Sequence, residues 1–124
     1  MAWQISRSLE AKPGDVTVAR HLLEDPPGSL SPSRLEDARL VVTELVANAV
    51  RHGLVGRDVD LLVRWDETCL RLEVRSAGPF HTRKPQATEG GWGLVLVDAL
   101  ADRWGVDSGP LTTVWAELEN RGSR

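Results

Sequence analysis

The stretch SRLEDARLVVTELVANAVRH, residues 33–52, decides the reading of this chain. Leu35, Ala38, Val41, Val42, Leu45 and Ala49 recur at helical spacing. Ser33 followed by Glu36 reads as a capping box, and Gly53 after the cations Arg51 and His52 reads as a stop. The pattern predicts a helix over residues 33–52. Residues four apart share a helix face, so Glu44, Asn48 and His52 stack, with Arg51 beside them. Their neighbours Val42, Leu45, Val46, Ala47, Ala49 and Val50 are apolar. A carboxylate or amide buried without partners is costly, so something must satisfy this row. Either it belongs to an internal hydrogen-bond network or a wetted helix edge, or it forms a site. In a site, the amide oxygen suits a hard cation, and the carboxylate can orient or deprotonate a nucleophile.

Outward from this helix, residues 3–9 read as an edge strand. A turn at Pro13-Gly14-Asp15 leads into a short helix capped by Asp15 and ended by Pro26-Pro27-Gly28-Ser29. Residues 59–65 and 70–75 alternate as strands of an antiparallel hairpin. Residues 77–91 form a loop longer than ordinary connections, of the kind that serves as a lid or binding loop. Residues 93–101 read as a second apolar helix, and 104–106 and 113–118 as two last strands. The expectation is one α+β domain over residues 1–124, a two-layer α/β sandwich with a mixed, mainly antiparallel sheet and helices on one face. Gly91-Trp92-Gly93 opens the second helix, where freed backbone N–H groups and the helix N-terminus attract anions.

Composition narrows the function classes. The chain has 124 residues, 41% hydrophobic and 27% charged, with net charge −3. Such a length buries an ordinary core, and the charge asks for neither nucleic acid nor an anionic membrane as partner. Cys69 is the single cysteine, so no internal disulfide forms, and it reads as a small buried side chain. No leader or long apolar span is evident, so a cytoplasmic location is expected. Trp65, Trp104 and Trp115 read as core or sheet-face residues.

The segment Thr43-Glu44-Leu45-Val46-Ala47-Asn48-Ala49-Val50-Arg51-His52-Gly53 resembles the N-box of the GHKL (HATPase_c-type) ATP-binding domains of gyrase, Hsp90, histidine kinases and MutL. Within that group, Glu-Leu-x-x-Asn-Ala-x-Arg-His resembles the small stand-alone anti-sigma factors that are also serine/threonine protein kinases. Gly91-Trp92-Gly93-Leu94, with residues 95–105 after it, is similar to their second glycine box, and residues 112–118 to their last strand. The resemblance implies a Bergerat-type fold, Mg²⁺ and ATP as cofactors, and frequent homodimers. Its implied partners are a sigma factor and a STAS-type anti-sigma factor antagonist. Asn48 would hold Mg²⁺, and Glu44 would act on a substrate hydroxyl. Arg51 and His52 would flank the nucleotide. Gly91, Gly93 and Leu94 would hold the phosphates, with residues 79–91 as lid. Gly78 would border the base, and Thr113 would lie near the adenine.

The pattern departs from the family at the adenine end. Ser76 stands where the family places the aspartate that accepts from the adenine amino group. Losing that charge-assisted bond costs about 1.5–3 kcal/mol, roughly 10- to 150-fold in affinity. Phe80 stands where many members have a second glycine, and Thr112 where a lysine often precedes the last-strand threonine. Two readings stay open: an ATP-dependent serine/threonine kinase, and a degenerate, non-catalytic module that regulates transcription by protein binding.

Overall fold

Among the described residues, alternation and helical periodicity produce eight elements. In the computed structural model the described residues are 3–10, 14–21, 23, 30–52, 57–66, 68–77 and 92–120. They form β1 (Trp3–Leu9), α1 (Gly14–His21), α2 (Pro32–His52), β2 (Val59–Trp65), β3 (Cys69–Ser76), α3 (Trp92–Leu100), β4 (Arg103–Ser108) and β5 (Thr112–Glu119). The strands form one sheet in the order β1-β2-β3-β5-β4. Every neighbouring pair is antiparallel, which narrows the expected mixed sheet to an all-antiparallel one. Among the described residues, no helix is long and apolar enough to cross a membrane.

One face of the sheet carries the core. Val59, Leu61, Val63 and Trp65 on β2, Leu70, Leu72 and Val74 on β3, and Val114, Ala116 and Leu118 on β5 are all buried. They meet Ala38, Val41, Val42, Leu45, Val46 and Ala49 of α2, with Ala19 and Val97 from the other two helices. Full burial of each larger aliphatic contributes about 1.5–3 kcal/mol, so this interlayer contact is the main source of stability. The helix stripe and the strand alternation were both legible in the sequence, and they face each other here.

Helix boundaries differ from expectation in instructive ways. The cap of α2 is Ser31, not Ser33: its hydroxyl accepts from the Arg34 N–H at 3.3 Å and its carbonyl from the Leu35 N–H at 2.9 Å. Pro32 follows at the first helical position, where its fixed φ and missing N–H cost nothing, and this moves the cap back. Asp15 falls inside the first turn of α1, which begins at Gly14. The loop expected at 77–91 is described only at Ala77, and Gly53 also lies outside the described residues.

Arg34 is the unexpected member of the interior. It is 8% exposed and sits in the first turn of α2. Its guanidinium donates to Asp102 Oδ2 at 2.6 Å, to Asp37 Oδ2 at 3.1 Å, and to the carbonyls of Glu119 at 2.9 Å and Leu100 at 3.3 Å. Asp102 in turn accepts the Glu119 N–H at 2.7 Å. One side chain thus ties the start of α2 to the end of α3 and the end of β5.

The opposite face of the sheet carries a ladder of ion pairs. Arg71 bonds Glu73 at 2.8 Å and Glu117 at 2.9 Å, and Arg103 bonds Glu117 and Glu119, each at 2.9 Å. Trp115 lies in its midst, with the Arg71 guanidinium 4.5 Å from the ring centre. Gly105 leaves room for that indole: a Cβ there would meet Trp115 Cζ2 at 2.8 Å. Cys69 also lies on this face and is half-buried, not fully buried as expected, because the strand alternation turns it away from the helices. Partial burial pushes its thiol pKa up.

The ladder makes stability depend on pH. Hydrogen bonds from Arg103, and then from Arg71, hold the Glu117 carboxyl below its ordinary value of 4.5. A depressed pKa contributes stability above the unfolded value, and that contribution is lost as pH falls through the folded one. Glu117→Gln is expected to melt lower at pH ~7 and to lose midpoint less steeply below pH 4.5 than the parent chain. Thermal melts across that range test this; parallel curves would refute it.

Candidate functional site

The Arg34 tie gives the helices their direction. It joins the first turn of α2 to the last carbonyl of α3, and α2 and α3 pack along each other, so they run antiparallel. Trp92, eight residues before Leu100, lies about 12 Å back along α3. That reaches the level of α2 residues 42–43. Glu44 and Asn48 therefore begin at the N-terminal end of α3 and extend past it.

Arg34 also bonds Glu119, which fixes α2 against the sheet. From the Glu119 end, α2 runs toward the other end of β3 and β5, where Ser76 pairs with Thr112. The buried residues of β3 and β5 alternate as Leu70, Leu72, Val74 and Val114, Ala116, Leu118. Ser76 and Thr112 continue those rows, so they stand on the helix-covered face and end its apolar surface with hydroxyl groups. Both are half-buried.

Glu44 and Asn48 are half-buried on α2, and no described residue hydrogen-bonds or ion-pairs with either side chain. Among the described residues, Glu44 and Asn48 therefore take no part in an internal hydrogen-bond network. Arg51 is exposed in the last turn, and His52 closes the helix. Gly93 and Leu94 lie in the first turn of α3. Gly78 and Gly91 lie outside the described residues.

Thr113 requires a correction. It lies on the open face, where its hydroxyl accepts from Arg75 Nε at 3.3 Å. A strand position one residue off turns a side chain to the other face. Thr112 is the threonine on the helix side. Among the described residues, no three of His, Cys, Asp or Glu converge as a metal cluster. An amide oxygen is a hard ligand, so Asn48 offers one position to a cation such as Mg²⁺ that takes its other ligands from phosphate and water. The Asn48 amide is half-buried and bonds no described residue, so its oxygen is open to a ligand.

The model of the histidine kinase-like ATPase domain matches residues 9–117. The chain belongs to that family. A curated relative, the serine-protein kinase RsbW of Oceanobacillus iheyensis, is 29% identical, the match covering 79% of this chain and 75% of the relative. The matched span of this histidine kinase-like ATPase domain includes α2, α3 and all of the sheet except most of β1 and the end of β5.

Arg34, Asp102 and Thr112 were missed by the sequence reading. Arg34 left a signal, a cation in the first turn of a helix, where the dipole opposes it. Because Glu44 and Asn48 bond no described residue, truncating them breaks no bond among the described residues. Glu44→Ala and Asn48→Ala are each expected to change unfolding stability by no more than about 0.5 kcal/mol. A loss above about 2 kcal/mol in urea unfolding would make the row structural.

Proposed function

We propose that this chain is an anti-sigma regulatory factor and an ATP-dependent serine/threonine protein kinase. Its substrate is a STAS-type anti-sigma factor antagonist, and its other partner is a sigma factor. The observation that carries the reading is the Glu44–Asn48 pair on the otherwise apolar α2, which bonds no described residue. The serine-kinase relative supports the direction of the assignment. Bound Mg²⁺–ATP supplies the phosphoryl group and the charge that neutralises its transfer.

The chain's own residues then have separate tasks. The Asn48 amide oxygen holds the metal. Backbone N–H groups of Gly93 and Leu94, at the positive end of the α3 dipole, would receive phosphate oxygens, a role the resemblance also gives to Gly91. The Glu44 carboxylate orients the incoming serine hydroxyl and accepts its proton. Ser76 and Thr112 present hydroxyls to the base, with Gly78 at its border. Arg51 and His52 add positive charge at the end of α2.

Ser76 favours a second reading, a module that keeps the fold and grips its protein partner without nucleotide. Calorimetric titration separates the two. Micromolar uptake of Mg²⁺–ATP supports the kinase; no heat at millimolar ligand supports the binding module. Under the kinase reading, labelled phosphate appears on the antagonist, and Glu44→Ala or Asn48→Ala abolishes it. Ser76→Asp should tighten ATP by roughly 10- to 150-fold, the worth of one charge-assisted bond. Thr112→Val should weaken nucleotide binding, and Thr113→Val should leave it unchanged. The reverse order would refute the assignment of faces.

A further inference from the structure

We propose that Arg34 is a positioning residue for the phosphate end of the site, acting through α3 from the helix end remote from it. This rests on the nucleotide reading above. α3 has nine residues, less than three turns, and only its packing fixes where it points. It has no basic residue in its last turn, so nothing of its own offsets the negative end of its dipole. Arg34 supplies that cation from another helix, donating to the last α3 carbonyl, Leu100, at 3.3 Å. The same guanidinium grips Asp102, two residues on, at 2.6 Å. Asp102 is held in place by its own N–H on the Glu117 carbonyl at 2.9 Å and by the Glu119 N–H at 2.7 Å.

The arrangement runs against the interest of α2 alone. A cation in its first turn opposes its dipole, and the side chain is 9% exposed, away from water. Two nearby carboxylates, Asp37 and Asp102, and two carbonyls accept from it. A second contact, Trp104 Nε1 to Asp98 at 3.0 Å, holds α3 from the β4 side. Together they clamp the C-terminal end of α3 to the sheet and to α2. A rigid helix clamped at one end has its other end placed, and that other end carries Gly93 and Leu94.

The test uses the full chain and Arg34→Lys, which keeps the charge but cannot span four acceptors. Asp102→Asn is the second variant, should the first fail to fold. Hydrogen exchange should show Leu96 and Val97 amides accelerated at least about tenfold relative to Leu61 and Leu72 of the sheet. Titration should show Mg²⁺–ATP weakened at least about tenfold, with adenosine changed by less than about twofold. Gly105→Ala is the control: it strains the Trp115 contact on the open face and should lower stability without moving either ratio. An unchanged exchange ratio, or an equal loss for ATP and adenosine, overturns the proposal. If the parent chain binds neither ligand, the nucleotide reading falls and takes the phosphate half of the proposal with it. The exchange ratio still decides whether Arg34 sets α3.

Discussion

The bond between Arg34 and Asp102 lies where four parts of the chain meet. It joins the first turn of α2, the last carbonyl of α3, the turn into β4 and the end of β5. Apolar contact between helices and sheet supplies most of the stability, but such contact is non-directional. A helix stripe can slide or rotate on a sheet at modest cost. A guanidinium with fixed donor directions cannot, and inside the protein a lost partner is expensive: breaking a buried pair costs about 3–5 kcal/mol. The pair therefore selects one arrangement among several that would bury similar area. That arrangement sends the second half of α2 and the first turn of α3 toward the same end of the sheet.

What gathers at that end follows from the two surfaces running out of apolar residues together. On the sheet, Val74 and Val114 give way to Ser76 and Thr112. On α2, the stripe through Val42, Leu45, Val46 and Ala49 is flanked by Glu44 and Asn48, which bond no described residue. The open face of the sheet is built differently. Around the Trp115 ring, Arg71 and Arg103 are matched against Glu73 and Glu117. Polar groups satisfied by one another hold structure, whereas half-buried groups that bond no described residue stay open to water or a ligand.

Much of this was legible in the sequence because it is periodic. The α2 stripe, the alternation of β2 and β3, and the apolar α3 each repeat a local rule, and the sheet and helix layers follow from them. The cap at Ser31 was missed because Ser33–Glu36 offered an equally good local pattern; only the Pro32 backbone decides between them. Thr112 was passed over for Thr113, although the alternation through Val114, Ala116 and Leu118 puts Thr112 on the helix side. Arg34 was invisible as a partner of Asp102, 68 residues on. Ion pairs of that separation have no periodicity. The one local sign was a cation placed against a helix dipole, and it became meaningful only when its acceptors were seen.

The same separation of local and long-range causes divides the site. On the proposed reading, its metal and phosphate part would draw on α2 and α3, which Arg34 joins. Its base-binding part would draw on β3 and β5, whose placement depends on backbone pairing from Cys69–Glu119 to Ser76–Thr112. These are distinct sets of interactions, so a change in one need not disturb the other. Ser76 can lack a carboxylate while every feature that orders α2 and α3 stays intact. A weakened adenine contact therefore does not imply a decayed fold, and the order of the two helices does not imply tight ATP binding. On the proposed reading, affinity for the base and competence toward the phosphates would be separate physical quantities, set at opposite layers of the sandwich.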